Sequence, residues 1–445
     1  MNLKGLKNIL YNPLFGYVFS FAVGVYFGAA TVKGVSVAVI YVSLMVACLY
    51  AAIQNRKDKV FSLLAYIVYG ELYIRAYGRL LPYLICQYFF IALMIILFAK
   101  SRQGWRLHTR SFVVLTLYGI MEVLDIVRAA DINTTRGIIV QTLTIVTVSI
   151  WGAFNFLTPQ IINKLFTHIK YASLFLCGVM VTAQIGQIET LHSSYQTTNG
   201  LAPVQISGYL GFACVIFFWS VMNSTALNFK MIVNIFLLAF VCVFMLMSFS
   251  RGGFYFLAIL AGLYFMLNTD KARSYTILIM LLPVALLTYS YVSNKTGGSI
   301  SQRYQESGAS GRDKLADIGW QLFESEPVAG IGTGNFSTEV QERNLYEMSG
   351  VHNEFVRSAA EHGIIGFCLY CGFFIFLFME IFARSGVQRE YAFYFLILFC
   401  LITVHNGLKI SVQPLLLLLA VATPDIAMRS RKKNVQSSLQ FATRS

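Results

Sequence analysis

The chain has 445 residues, of which 57% are hydrophobic and 12% charged, with a formal net charge of +14. A soluble domain carries about 25% charged residues, so this composition excludes a soluble globule and requires that apolar surface meet lipid. The positive charge does not mark a nucleic-acid binder, because the basic residues lie in short segments between apolar runs.

Reading windows of about 20 mainly apolar residues in chain order predicts spans at 13–32, 34–53, 60–77, 80–99, 111–127, 137–155 and 169–187, then at 204–222, 230–249, 252–268, 275–293, 364–383, 391–407 and 409–425. Lys4 and Lys7 precede the first run, which is span-length and lacks a small-residue cleavage site, so no cleavable signal is expected. The expected fold is an all-α polytopic membrane protein with about 12–14 transmembrane helices and one long, partly helical periplasmic loop. Its segments are a helix bundle over 1–293, the loop over 294–363, C-terminal spans over 364–427 and a basic cytoplasmic tail over 428–445. All eight cysteines fall inside predicted spans, so a disulfide framework is not expected. Cys368 and Cys371, spaced as CxxC in an apolar helix, read as packing residues.

Orientation follows from the Lys/Arg bias. With the N-terminus inside, 21 of the 34 basic residues fall in cytoplasmic segments, which places the loop on the outer side. That loop holds ten of the twenty acidic residues. Its pattern is that of a folded segment. Ser310-x-x-Asp313 resembles a capping box ahead of a helix near 312–325, with Leu315, Ile318, Leu322 and Phe323 on one side. Pro327 and the run Gly330-Ile331-Gly332-Thr333-Gly334 break the chain, a second short helix is expected after Ser337, and a third from His352-Asn353 to Gly363.

Three features in or beside this loop carry chemistry. Arg251, in Ser250-Arg251-Gly252-Gly253, is a charge caught between two apolar runs, and such a residue is costly unless paired or hydrated. The bland reading is an arginine that snorkels or pairs with a helix end. Arg312 follows Ser310-Gly311 at a helix start, where free N–H groups and a guanidinium together suit a phosphate. An ordinary solvated arginine is the alternative there. His352 stands at the third helix start, and imidazole is a natural general base near neutral pH; a cap or surface histidine is the competing reading. His362, beside a glycine, and His405, at a span end, read as structural. His352 and Glu354, two residues apart, do not share a helical face, so no metal site is expected.

Gly311-Arg312, Trp320, Glu326-Pro327-x-x-Gly330-Ile331-Gly332-x-Gly334-Asn335-Phe336, His352-Asn353-x-Phe355 and Glu361-x-Gly363-x-x-Gly366 follow one another in that order. The series resembles the O-antigen ligase/polymerase superfamily of bacterial envelope glycosyltransferases from about Met247 to Phe367, while the N-terminal half is similar only in hydropathy. The resemblance implies an inner-membrane enzyme whose active site faces the periplasm. Such enzymes take a glycan from undecaprenyl diphosphate and join it to a hydroxyl of lipid A–core or of another glycan. It implies that Arg251 and Arg312 hold the diphosphate, with Asn353 beside them, and that His352 takes the acceptor's proton. It also implies inversion at the anomeric carbon without metal or cofactor. An O-antigen or exopolysaccharide polymerase of the same superfamily is the alternative. From another class, a transporter or flippase would use intramembrane ionisable pairs, for which Glu71, Arg75, Glu122 and Asp125, with Arg79 and Arg128, are the nearest residues.

Overall fold

A backbone crossing hydrocarbon satisfies its own N–H and C=O groups within one segment only as a helix, and each predicted span is a helix here. The computed structural model describes residues 12–29, 34–78, 80–100, 109–183, 195–224, 228–267, 271–305, 311–346, 352–384 and 387–422. The helices are α1 (Pro13–Ala29), α2 (Val35–Ile53), α3 (Lys57–Tyr77), α4 (Ile85–Lys100), α5 (Thr109–Leu124), α6 (Ile132–Phe154), α7 (Pro159–Val181), α8 (Pro203–Met222) and α9 (Phe229–Met247). They continue with α10 (Gly252–Leu267), α11 (Lys271–Lys295), α12 (Ser299–Gln305), α13 (Arg312–Ser325), α14 (Asn335–Glu342), α15 (Glu354–Phe382), α16 (Val387–Asn406) and α17 (Val412–Ala422). Seven of them are long and apolar enough to cross a membrane, and α1, α4, α10 and α17 are shorter apolar helices. The chain is an all-α polytopic membrane protein.

Several boundaries differ from the hydropathy windows, α4 and α6 each by five residues at the start, and two differences have a clear physical reason. Helix α7 starts at Pro159 rather than near 169 because its first turns are amphipathic, with Leu165 buried and Asn163 and Lys164 exposed. A window average discounts such a start. Helix α15 runs on from the third loop helix, but Gly363 (φ 60, ψ −157) breaks it where the span was expected to begin. The predicted tail, with Ser310 and Arg79, lies outside the described residues.

The chain divides into two compact units. The first comprises Met1–Cys86, Ile161–Ala309 and Ile410–Val412. Helix α8 is buried on nearly every side and packs against α9 and α10. Asn228 caps α9 by accepting the Met231 N–H at 2.9 Å. The hairpin of α2 and α3 turns at Asn55, whose φ is 55°.

The second unit comprises Gln87–Gln160, Ser310–Lys409 and Gln413–Ser445. Its axis is the pair α5 and α15, which run antiparallel. At one end Glu380 accepts the Arg110 and Ser111 N–H groups, both at 3.1 Å, capping the start of α5 from the far end of α15. At the other end α5 meets the loop. There α13 and α14 share a small core of Leu315, Ile318, Leu322, Phe336, Val340 and Ala360. The expected inward side of α13 is therefore correct for its three aliphatic residues. Phe323 instead lies edge-on to Trp320, with ring centroids 5.8 Å apart.

Candidate functional site

The residue before α13 is Gly311, in the left-handed region at φ 75°, and among the described residues no side-chain cap is recorded there. The capping box expected on Ser310 and Asp313 rests on a residue outside the described ones. Gly311 sets Arg312 at the helix N-terminus. The Arg312 guanidinium donates to His405 Nδ1 at 2.5 Å, 93 residues away at the end of α16. His405 is thus in contact with Arg312, and its expected role as a mere helix-end packing residue is incomplete.

Asn353 caps the start of α15 by accepting the Phe355 N–H at 3.0 Å. The cap fixes the backbone immediately after His352. His352 itself is half-buried, and its Nδ1 is buried with no hydrogen-bond partner among the described residues. Burial, and then the positive charges of Lys409 and Arg312, push this imidazole well below its ordinary range, to about 3. Lys409 lies in the short connection between α16 and α17; burial lowers its ammonium, while the Glu354 carboxylate acts in the opposite sense. Arg312, His352, His405 and Lys409 thus form one neighbourhood in which positive charge surrounds a neutral base. Sequence reading missed Lys409. Its signal was available, since a lysine between two closely spaced apolar runs is the same anomaly that singled out Arg251.

What holds His352 in place is a buried ionic network behind it. The Arg357 guanidinium donates to Glu122 of α5 at 2.6 Å, to Glu361 at 2.5 Å and through Nε to Glu354 at 2.9 Å. His362 places Nε2 3.5 Å from Glu122 and Nδ1 3.4 Å from Asp125. An arginine this deeply buried is tolerated because several carboxylates replace its water. Among the described residues, no group of three His, Cys, Asp or Glu side chains is arranged to hold a metal ion.

The glycine run stitches the loop to this network. Asp125 accepts the Thr333 N–H at 3.0 Å, Arg128 donates to the carbonyl of Ala329 at 3.2 Å, and Asn335 donates to that of Arg128 at 2.8 Å. On the other side, Ile331 and Gly332 donate to the carbonyls of Ala360 and Glu361 at 3.0 and 2.9 Å. Gly330 is obligatory here: its φ is 67°, and an added Cβ would lie 2.3 Å from the Glu361 carbonyl carbon. Asp125 and Arg128 thus hold this loop, and the Glu122 carboxylate holds Arg357.

Arg251 belongs to the first unit, at the break between α9 and α10. Phe249 takes a left-handed φ of 55° there. Ser207 of α8 grips both flanks, donating to the Ser250 carbonyl at 3.0 Å and accepting the Gly253 N–H at 2.9 Å. Gly253 lets α8 come this close, since a Cβ would fall 2.2 Å from the Ser207 carbonyl oxygen. The backbone of Arg251 is thus fixed. In the same unit Glu71 and Arg75 pair at 2.6 Å. Glu71 also accepts the Ser411 N–H at 2.9 Å, and Arg75 donates to Tyr83 at 2.9 Å. The pair is thus engaged in contacts within this unit.

The family model described as O-Antigen ligase matches residues 235–371. No curated protein matches the chain. The matched stretch, similar to the O-antigen ligase family, runs from α9 to the first turns of α15 beyond Gly363. It includes Arg251, Arg312, His352, Asn353 and Arg357, whereas Glu122, His405 and Lys409 lie outside it.

Proposed function

We propose, from the likeness of residues 235–371 to the O-antigen ligase family, that this membrane protein transfers a glycan from undecaprenyl diphosphate to an acceptor hydroxyl at the outer face of the inner membrane. The observation that carries the reading is the His352 imidazole, its Nδ1 buried without a hydrogen-bond partner among the described residues and its titration depressed by burial and by Lys409 and Arg312. An anionic diphosphate is the complement of that charge. Its arrival would offset the two cations that depress the imidazole and so strengthen His352 as a base at the moment of reaction.

In the proposed step the acceptor oxygen attacks the anomeric carbon and the bond from that carbon to the diphosphate oxygen breaks. The hydroxyl proton passes to His352, and the undecaprenyl diphosphate leaves with the bonding electrons. Arg312, Lys409 and Arg251 stabilise the charge that grows on the leaving group, the role for which fixed donors are most effective. His405 orients Arg312. Direct displacement inverts the anomeric centre, and three cations supply what a divalent metal otherwise would, so transfer is metal-independent in this scheme.

Alanine at Arg251, Arg312, His352 or Lys409 tests the proposal in cells by gel analysis of surface glycan, with protein level measured alongside. Loss of glycan at normal protein level is expected, and normal glycan in all four variants would overturn it. In a deletion strain, free lipid-linked polymer marks a ligase and single repeat units mark a polymerase of the same superfamily.

A further inference from the structure

The span part of α15 exposes one stripe: Ile364, Ile365, Cys368, Ile375, Phe378, Met379 and Phe382 recur on a single side at helical spacing. No charged residue interrupts it, as expected of a surface against acyl chains. At the Gly363 end the stripe does not stop with the helix. The Ile364 N–H, the first of the span, donates to the Pro327 carbonyl at 2.8 Å, so the loop's own backbone satisfies it. That bond sets Val328, 62% exposed, beside Ile364. Trp320 of α13, 42% exposed, stands edge-on to Phe367 of α15 with ring centroids 6.1 Å apart.

Leu315, Ile318 and Leu322 of α13 face the core. Trp320 is exposed on the opposite stripe, which it shares with Asp313, Asp317 and Glu324, and Phe323 lies between that stripe and the core. The Trp320 ring is turned towards Phe367 of α15. A contiguous apolar patch open to water marks an interaction site, and this one is an extension of a lipid-facing stripe. Tryptophan is also the side chain most at home where acyl chains give way to headgroups.

We infer that Trp320, Phe323, Val328, Ile364 and Ile365 form a seat by which α13 rests in the bilayer surface, at the headgroup–acyl boundary beside α15. The seat holds Arg312, at the head of the same helix, close to the level at which a lipid-borne diphosphate lies, with Asp313, Asp317 and Glu324 beside Trp320 reaching to the water of the headgroup layer. The inference depends on the membrane-spanning character of α15 and not on the transfer chemistry, so its test does not use activity.

The test uses the full-length protein in nanodiscs of phosphatidylethanolamine and phosphatidylglycerol. The four tryptophans include Trp320, and subtracting the emission of the W320F variant isolates its signal. Lipids brominated near the headgroup should quench that signal by about half, more than lipids brominated near the chain terminus and more than aqueous acrylamide. Val328→Asp should weaken the bromine response about twofold at unchanged helix content. A Trp320 signal quenched by acrylamide but indifferent to brominated lipid would overturn the inference and point to a water-facing platform, such as one for saccharide. An undiminished bromine response in V328D would overturn the shared seat.

Discussion

Two charged clusters lie at the loop end of the second unit, and they are built on opposite principles. Around Arg357 each cation meets carboxylates: Glu122, Glu354 and Glu361 close on the guanidinium, and Glu122 and Asp125 flank His362. Around His352 positive charge predominates, with Arg312 and Lys409 acting on an imidazole whose Nδ1 has no partner among the described residues. A matched buried network holds shape, because removing one member strands the others. A cluster left cationic is prepared for an anion that arrives later, and it stores no comparable stability. The same short stretch, His352 to His362, contributes to both, so the rigid cluster fixes the position of the reactive one.

Substitutions separate the two. His352→Ala should lower glycan transfer by roughly 10²–10⁴-fold and Arg312→Ala by roughly 10²–10³-fold, with the thermal unfolding midpoint of either purified protein near that of the parent. Arg357→Ala should do the reverse, destabilising by about 3–5 kcal/mol, so that the midpoint falls and transfer is lost in proportion to folded protein. An R357A protein that is stable but inactive, or an H352A protein that unfolds early, would erase the distinction. A smaller effect is expected from Gly330→Ala, where the positive φ and the crowding against Glu361 should cost about 1–3 kcal/mol. The unfolding midpoint reads it.

The subtlest prediction concerns pH. His352 has its folded pKa depressed, so its contribution to stability is fully present above the ordinary imidazole range and declines as pH falls below it. In the free enzyme it stays a neutral base down to about pH 3. Once the anionic donor is bound, the repulsion from Arg312 and Lys409 is offset and the imidazole rises. The acid limb of kcat should therefore lie at higher pH than that of kcat/KM. Coincident limbs in steady-state profiles would show that the donor does not sit among these charges.

Much of the architecture was legible because hydropathy and periodicity are local. The helix over Arg312–Ser325 was expected at its observed bounds, and Gly363 was read as a stop from the residue alone. The partners were not legible. Arg357 meets Glu122 across 235 residues and Arg312 meets His405 across 93, and no spacing rule encodes such a meeting. Hydropathy shows that a charge is out of place without showing what compensates it. Arg357 drew no notice, although Glu354 and Glu361 stand three and four residues away on the same helix. The left-handed turn at Gly311 before α13 was not legible either, because backbone sign is invisible to a motif.

The account rests on the Arg312–His352–Lys409 cluster being an anion site, and the affinity of nanodisc-held protein for undecaprenyl diphosphate measures that most directly. Arg312→Ala and Lys409→Ala should each weaken binding about tenfold or more, while Gly330→Ala, destabilised but with its cations intact, should bind as the parent does. Parental affinity in both R312A and K409A would contradict it.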